Sequence, residues 1–192
     1  MAVANQGRSR DRVRWCLEDL DGLPDNGSRY EILDGALIVT RAPHCDHQDV
    51  AGRIYAELLL WSRQTSLGRP FFGPGVIFAP DMAVIPDVVW ASDHCLKTGL
   101  DGAGHFTRAP ELIVEVLSAS EGDRRRDRET KRKLYGVQGV LEYWIADRDR
   151  PALEIYARQN GILERMATLL PGDRVTSPQL PGFDCDVAIF FE

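Results

Sequence analysis

The chain has 192 residues, of which 44% are hydrophobic and 27% are charged, and its formal net charge is −6. This size and composition are typical of one soluble globular domain, and we expect a single domain over residues 1–192 with residues 1–9 flexible. The negative charge argues against a protein that coats nucleic acid through bulk charge, but it allows an enzyme with a local phosphate-binding site.

Signals for membrane insertion or secretion are not recognisable in the sequence. No apolar run approaches the roughly 20 residues that a membrane span needs, and the polar stretch Met1–Arg14 lacks the apolar core of a secretory signal. The four cysteines are far apart, which favours buried free thiols over disulfides. We therefore expect a cytoplasmic protein with no membrane partner.

Two segments carry residue types that can bind zinc, His44-Cys45-Asp46-His47 and His94-Cys95. Their spacing matches no common zinc motif, and nothing in the sequence requires the two segments to meet. Zinc is therefore not expected.

The first half of the chain predicts two helices, a hairpin and further strands. Apolar residues at helical spacing predict a first helix over Arg10–Leu20. Asp34-Gly35, between the strand-like segments Arg29–Leu33 and Ala36–Val39, is typical of a two-residue hairpin turn. The remaining predicted elements of this half are a helix over Asp46–Thr65 and two or three strands within Phe71–Trp90.

The second half predicts further strands around one long helix. Lys97–Ala109 has three glycines and no periodicity, which indicates a loop. Pro110–Leu117 is typical of a buried strand, and a helix over Asp123–Gln138 follows, with Gly139 as its C-cap. The other predicted strands are Leu141–Ala146, Leu153–Ala157, and a pair formed by Ile162–Leu169 and Asp186–Phe191. The fold class is α/β, with a mixed β-sheet flanked by helices and an N-terminal β-hairpin.

Glu115 lies in the middle of the apolar run Leu112–Leu117. A carboxylate in a buried strand is costly unless it is paired, hydrogen-bonded or bound to a metal. A second acid, Asp87, lies in the similar run Ile85–Trp90. Because both runs predict strands, the two acids are candidate ligands of one divalent cation.

Lys131 is the cation that the predicted helix turns inward. At ~100° per residue, it shares an apolar face with Leu134 and Tyr135. Arg132 and Lys133 point away from that face. An inward lysine needs an anionic partner, and a pair of carboxylates holding a metal-bound phosphate would provide one.

These residues together indicate metal-dependent phosphodiester chemistry. Asp87, Glu115 and a backbone carbonyl such as that of Val116 would bind Mg²⁺ or Mn²⁺. Lys131 would orient the attacking water or stabilise charge in the transition state. The residue types leave open a structural arrangement, in which Lys131 pairs with Asp127 and Glu115 is protonated or paired with an arginine.

Seven basic residues are clustered between Arg124 and Lys133. They can form a solvated helix face, supported by a Glu129–Lys133 pair, or a phosphate-binding patch. The sequence does not distinguish these two interpretations.

Short characteristic segments occur in a fixed order from Leu23 to Phe183. They are Leu23-Pro24, Arg29–Gly35, Ala42-Pro43 with His47, Pro86-Asp87-Val88, Ala109–Ser118, Asp127 with Lys131 and Tyr135, Gly139–Asp147, and Leu180–Phe183. In this order they resemble the bacterial Uma-two family of restriction-endonuclease-like proteins, within the PD-(D/E)XK nuclease superfamily. Ala119 and Leu141 depart from the resemblance, because the family tends to have proline at both positions.

The resemblance implies a restriction-endonuclease-like core and an Mg²⁺-dependent endodeoxyribonuclease that cleaves DNA, acting as a homodimer because one such site cuts one strand. It also implies that Lys131 replaces the usual strand lysine, whose position is Leu117 here. Glu31, His47 and Tyr135 match family positions and are secondary candidates, the first two for a second metal or a proton path. The alternative function is a non-catalytic DNA-binding or protein-interaction module that retains the fold.

Overall fold

A computed structural model describes residues 13–192. The segment 1–9, expected to be flexible, and the first residues of the predicted helix Arg10–Leu20 lie outside this range. Within the described range, the strands form three sheets. Elements are numbered below in chain order.

The N-terminal half contains helix α1 (Leu17–Leu20), the hairpin strands β1 (Arg29–Leu33) and β2 (Ala36–Thr40), and the long helix α2 (Cys45–Thr65). It continues with β3 (Gly68–Phe72), β4 (Val76–Ala79), β5 (Met82–Val84), β6 (Val88–Ser92) and α3 (Asp93–Thr98). The C-terminal half contains β7 (Leu112–Val116), α4 (Glu121–Arg125), a π-helical turn (Arg126–Lys131), α5 (Arg132–Gln138), β8 (Glu142–Asp147), β9 (Ala152–Gln159), β10 (Ile162–Leu169), β11 (Arg174–Ser177), β12 (Leu180–Asp186) and a 3₁₀ helix (Val187–Phe190). No helix within residues 13–192 is both long and apolar enough to cross a membrane.

The central sheet has six strands in the order β10-β9-β8-β7-β6-β3. Its β7–β8 pair is parallel and its other pairs are antiparallel, so the sheet is mixed, as predicted. A four-stranded sheet in the order β2-β1-β5-β4 contains the N-terminal hairpin, and β11 and β12 form a two-stranded sheet.

Two apolar clusters lie on opposite faces of the central sheet. Ile54 of α2 packs with Val114 and Trp144 in one cluster, and Ile113 packs with Tyr135 of α5 in the other. Alternate residues of a strand face opposite sides, so β7 is buried along its whole length because both faces are covered. Each large apolar side chain fully buried in this way contributes about 1.5–3 kcal/mol.

Three local predictions are confirmed. Asp34 and Gly35 form the hairpin turn with φ values of 50° and 73°, the positive φ pair that such a turn requires. The predicted second helix is α2. Gly139 ends α5 in the left-handed conformation, with φ 102°, as a C-cap glycine does.

Three predictions for the N-terminal half differ from the structure, two in the bounds of an element and one in the number of strands. Residues 13–16 are not helical, because the Trp15 N–H donates to the Gly35 carbonyl and holds this segment along the hairpin. The segment predicted to hold two or three strands holds parts of four, β3–β6, since its glycines and prolines divide it into short pieces. The predicted loop is helical at its start, where α3 continues to Thr98.

The predicted pairing of Ile162–Leu169 with Asp186–Phe191 is also wrong. β10 pairs with β9 across Asn160-Gly161, whose φ values are 50° and 85°. The Asp186 side chain accepts a hydrogen bond from Ala188 N–H, which starts the 3₁₀ helix in place of a strand. The dipeptide Asn-Gly is itself a strong hairpin signal, and it identifies the correct partner of β10.

Gly68 and Gly52 provide a matched test of the packing around β3. A Cβ at Gly68 would lie 2.2 Å from the Ala91 carbonyl oxygen on β6, whereas a Cβ at Gly52, inside α2, has open space around it. Gly68→Ala should therefore lower the free energy of unfolding by about 1–3 kcal/mol, the usual cost of overpacking. Gly52→Ala should raise it by roughly 0.5–1 kcal/mol through helix propensity. Urea unfolding measures both changes, and a Gly68→Ala variant as stable as the parent would contradict this β3–β6 contact.

Candidate active site

A cavity of about 470 Å³ lies where β1, the start of α2, the end of β7 and the π-helical turn meet. Six of the predicted site residues line it, namely Glu31, His47, Asp87, Glu115, Val116 and Lys131. Tyr135 does not line the cavity, but its hydroxyl donates a 2.8 Å hydrogen bond to Glu115 Oε1. The structure therefore brings all the predicted residues together.

The register of β6 and β7 brings Asp87 next to Glu115. The last pair of the antiparallel ladder is Val88 with Val114. Asp87 and Glu115 are the next opposed residues, just beyond the end of the ladder. Pro86 would face Val116 at the next position, and proline has no N–H to donate to the Val116 carbonyl. The Val116 N–H binds the Asp87 side chain instead, with Oδ2 at 2.9 Å.

Lys131 is buried between two carboxylates, with 3% of its surface exposed. Its Nζ lies 2.9 Å from Glu115 Oε1 and 3.0 Å from Glu31 Oε1, whereas Asp127 Oδ1 is 3.9 Å away. Burial acts to lower the pKa of Lys131, but the charges of Glu115, Glu31 and Asp127 outweigh it and raise the pKa. Lys133 is exposed, so the predicted inward direction of Lys131 is confirmed.

Asp87 is kept ionised by its neighbours. Besides the Val116 N–H, its Oδ2 lies 3.0 Å from His47 Nε2, and its Oδ1 lies 3.4 Å from Arg29 Nη1. Burial acts to raise the pKa of Asp87, but His47, the Val116 N–H and Lys131 outweigh it and lower the pKa. The His47 contact is one of proximity rather than an aligned hydrogen bond, since Nε2 has no hydrogen-bond partner among the described residues.

Glu115 and Asp127 titrate in the direction opposite to Asp87. Burial is the largest influence on both, and together with the neighbouring acids it outweighs the attraction of Lys131. It raises the pKa of Glu115 to about 8 and that of Asp127 to about 6. At neutral pH, Asp87 is therefore a carboxylate while Glu115 is mostly protonated.

The site contains more buried acid than buried positive charge. Four carboxyl groups are only 4–6% exposed, those of Glu31, Asp87, Glu115 and Asp127. Lys131 lies among them, and His47 adjoins Asp87. Burial raises the pKa of Glu115 most, and the neighbouring acids raise it further because one lysine does not neutralise them.

The donor set fits a hard cation such as Mg²⁺ or Mn²⁺. Asp87 and Glu115 offer carboxylate oxygens. Val116 offers a backbone carbonyl that has no ladder partner, because Pro86 opposite it has no N–H. Within residues 13–192, one set of three His, Cys, Asp or Glu residues has its ligand atoms within 4.8 Å of one another. This set is His44, Cys45 and Asp46, and all three are exposed. The buried acids of the cavity therefore do not form such a set in the described chain.

The histidine–cysteine segments considered for zinc lie in different places. His44 lines the candidate active site at the start of α2. His94 and Cys95 lie on α3 and line a second cavity of about 420 Å³.

The basic cluster divides into two groups of different role. Arg124 and Arg128 form ion pairs with Asp147, and Arg128 also binds Glu154. These pairs attach the helical segment to β8 and β9. Arg126 instead lines the cavity, so neither of the two interpretations of the cluster describes all of it.

Six charged residues that line the cavity were not predicted as site residues, namely Arg29, Arg41, Asp123, Arg126, Asp127 and Arg148. Asp127 has an available signal, because it lies four residues before Lys131 on the same predicted helix face. Arg126 belongs to the basic cluster that the sequence offers as a phosphate-binding patch. Arg29, Arg41 and Arg148 have no comparable local signal, since they come from separate segments that only the folded chain brings to one place.

Comparison with known proteins agrees with this architecture. A family model described as "Uma2: Putative restriction endonuclease" matches residues 17–188. The chain belongs to this family. It is also similar to the crystal structure of "a putative nuclease belonging to DUF820" from Anabaena variabilis, with a TM-score of 0.74 and 18% identity over 92% of this chain and 97% of that chain. This likeness confirms the predicted fold class, and no curated protein matches the chain.

Removing the Lys131 charge should destabilise this Uma2-family protein. Lys131→Ala leaves Glu31, Glu115 and Asp127 buried without their cation, so the free energy of unfolding should fall by about 3–5 kcal/mol. Lys133→Ala, a control on the exposed side of the same helix, should change it by less than ~0.5 kcal/mol. Urea unfolding in EDTA at neutral pH measures both. Equal stability of the two variants would refute the buried position of Lys131.

The raised pKa of Glu115 should make the metal-free protein less stable as the pH rises. A carboxyl whose pKa is 4.5 when unfolded and about 8 when folded binds its proton more tightly in the folded state. Its contribution is fully present below pH 4.5 and is lost as the pH rises through 8, at most ~1.4 kcal/mol per pH unit. Glu115→Gln removes this titration, so the free energy of unfolding should decrease less steeply with pH. A smaller decrease from Asp127 should remain.

Urea unfolding in EDTA across this pH window compares Glu115→Gln with the parent. The variant should be at least as stable as the parent at the alkaline end, because the cost of a buried charge is relieved. An identical pH dependence in the two proteins would show that Glu115 is not the titrating group.

Proposed function

We propose that the chain is a divalent-metal-dependent endodeoxyribonuclease, which hydrolyses DNA phosphodiester bonds with Mg²⁺ or Mn²⁺. The observation that carries this proposal is the position of Asp87 opposite Glu115 at the open end of a β-ladder, with Lys131 2.9 Å from Glu115. The restriction-endonuclease description of the family supports the same activity.

Asp87, Glu115 and the Val116 carbonyl would hold the cation. Lys131 and Tyr135 both contact Oε1 of Glu115, which leaves Oε2 as the oxygen that can bind metal. When bound, the cation acidifies a water molecule and screens the negative charge of the phosphate.

Lys131 has the position to orient the attacking water and to stabilise negative charge that develops on the phosphate. Glu31 positions this lysine, because Glu31 Oε1 lies 3.0 Å from Nζ and is itself fixed by the Ile85 N–H at 2.9 Å. His47 borders Asp87 with an unpaired Nε2. We assign to His47 the transfer of a proton between the site and solvent.

We also propose that the active form on duplex DNA is a homodimer. One cavity of this kind acts on one strand, so cleavage of both strands at one position needs two copies. Plasmid nicking without linearisation at every protein concentration would contradict this proposal.

One observation favours the second candidate, a non-catalytic DNA-binding or protein-interaction module. Glu115 is already satisfied by Lys131 and Tyr135, and its pKa of about 8 keeps it mostly protonated at neutral pH. In that case the buried network is structural. A divalent metal would then find no ionised pair to bind.

Metal titration separates the two candidates. Calorimetry should show that the parent binds Mn²⁺, and that Asp87→Asn and Glu115→Gln do not. Asp49→Asn, which changes an exposed acid paired with Arg53 on α2, should bind like the parent. Plasmid cleavage with Mn²⁺ should fall at least ~100-fold in the two site variants, because even the partners of metal ligands contribute factors of that order. A folded parent that binds no divalent metal would favour the module.

A further inference from the structure

Three buried polar side-chain atoms in the described chain have no hydrogen-bond partner, and all three belong to residues that line the candidate active site. One is Nε2 of His47, beside Asp87. The other two are the Nε atoms of Arg126 and Arg148. A buried donor without an acceptor is costly, and more so when its group is charged. Two unpaired guanidinium donors in one cavity indicate a place for an anion.

Arg126 borders the proposed reaction centre without entering it. Its Nη1 donates to Asp123 Oδ1 at 2.7 Å, which holds the guanidinium group in place. Its Nε lies 3.9 Å from Asp127 Oδ1, beyond hydrogen-bond distance, and the same Oδ1 lies 3.9 Å from Lys131 Nζ. Asp127 therefore separates Arg126 from Lys131, so the two cations serve neighbouring positions in the cavity.

Arg148 reaches the same cavity from the end of β8. The parallel register of β7 and β8 ends with Val116 opposite Ala146. Arg148 directly follows β8 in the chain, and Ser118, shortly after β7, also lines the cavity.

Arg148 Nη1 is 3.4 Å from His44 Nδ1 and 3.7 Å from Asp46 Oδ2 at the start of α2. Its Nε is 3.7 Å from Asp149 Oδ1, beyond hydrogen-bond distance. The Nη1 contacts hold the guanidinium group at the carboxyl end of two parallel strands, where open sheets commonly bind ligands.

We propose that Arg126 and Arg148 form a phosphate subsite, which binds a backbone phosphate of the DNA strand next to the phosphate that is cleaved. The identity of the ligand rests on the proposed nuclease function, whereas the preference for an anion rests on the two guanidinium groups. Guanidinium groups bind phosphate oxygens through paired donors, and phosphate contacts set the register of a bound strand.

The overall charge of the chain favours fixed positive groups at the cavity. The chain carries a net charge of −6, and the cavity contains four buried acids. A polyanionic strand approaching those acids therefore needs fixed positive charge along its path. Arg126 and Arg148 line the cavity and supply that charge beside the acids.

Duplex binding in EDTA tests the subsite without catalysis. Fluorescence anisotropy with a labelled DNA duplex, repeated over a range of salt concentrations, should show at least about tenfold weaker binding by Arg126→Gln and by Arg148→Gln. In each variant, log K should also fall less steeply with log salt. The slope should be smaller in magnitude by about 0.9, the value for one lost phosphate contact. Arg165→Gln, which changes an exposed arginine on β10, should match the parent.

Arg126→Lys separates loss of the guanidinium donors from loss of folding. It keeps the charge near Asp123, so its salt slope should match that of the parent while its affinity falls. Inorganic phosphate provides a second readout. It should raise the melting temperature of the parent above that in chloride at equal ionic strength, and it should do so less for both glutamine variants.

Equal affinity and equal salt slope in the parent, Arg126→Gln and Arg148→Gln would overturn the subsite, as would a parent that does not bind the duplex. Failure of the proposed nuclease function has a different pattern. The parent would then neither bind Mn²⁺ nor cleave plasmid, while the two arginine variants would still bind the duplex more weakly than the parent.

Discussion

The Lys131 ammonium group lies 2.9 Å from a carboxylate on β7 and 3.0 Å from one on β1, so a single buried cation connects the central sheet, the hairpin sheet and the helical segment. Burying these charges gains little stability by itself, because desolvation offsets most of the attraction. A packing that moved these elements apart would leave Glu31 or Glu115 buried without its cation, and breaking a buried pair in this way is strongly destabilising. The arrangement of the site and the arrangement of the fold thus depend on the same contacts.

Asp87 and Glu115 are neighbours, yet their pKa values shift in opposite directions. Asp87 adjoins His47 and accepts the Val116 N–H, so its carboxylate form is favoured. Glu115 shares one lysine with other acids, and burial raises its pKa to about 8. A divalent cation held by both groups would therefore have to displace the proton of Glu115.

The arginines of one short helical segment have different roles because of their direction. Arg124 and Arg128 face β8 and β9, where Asp147 and Glu154 neutralise them. Arg126 faces the cavity and keeps an unpaired donor. The π-helical turn that begins at Arg126 changes the direction of successive side chains, and such turns are frequent at functional sites. The direction of each side chain thus decides whether an arginine of this segment holds the fold together or faces the cavity.

Local patterns in the sequence determined β7 as a buried strand, the Asp34-Gly35 hairpin, α2, and the inward direction of Lys131, because strand alternation, turn chemistry and helical period act over a few residues. Family motifs supplied Glu31 and His47. The tertiary structure alone decided that Asp87 lies opposite Glu115 and that Arg126 and Arg148 share one cavity. These features depend on strand register and on contacts between distant segments, which the packing of the whole chain selects and no local pattern encodes.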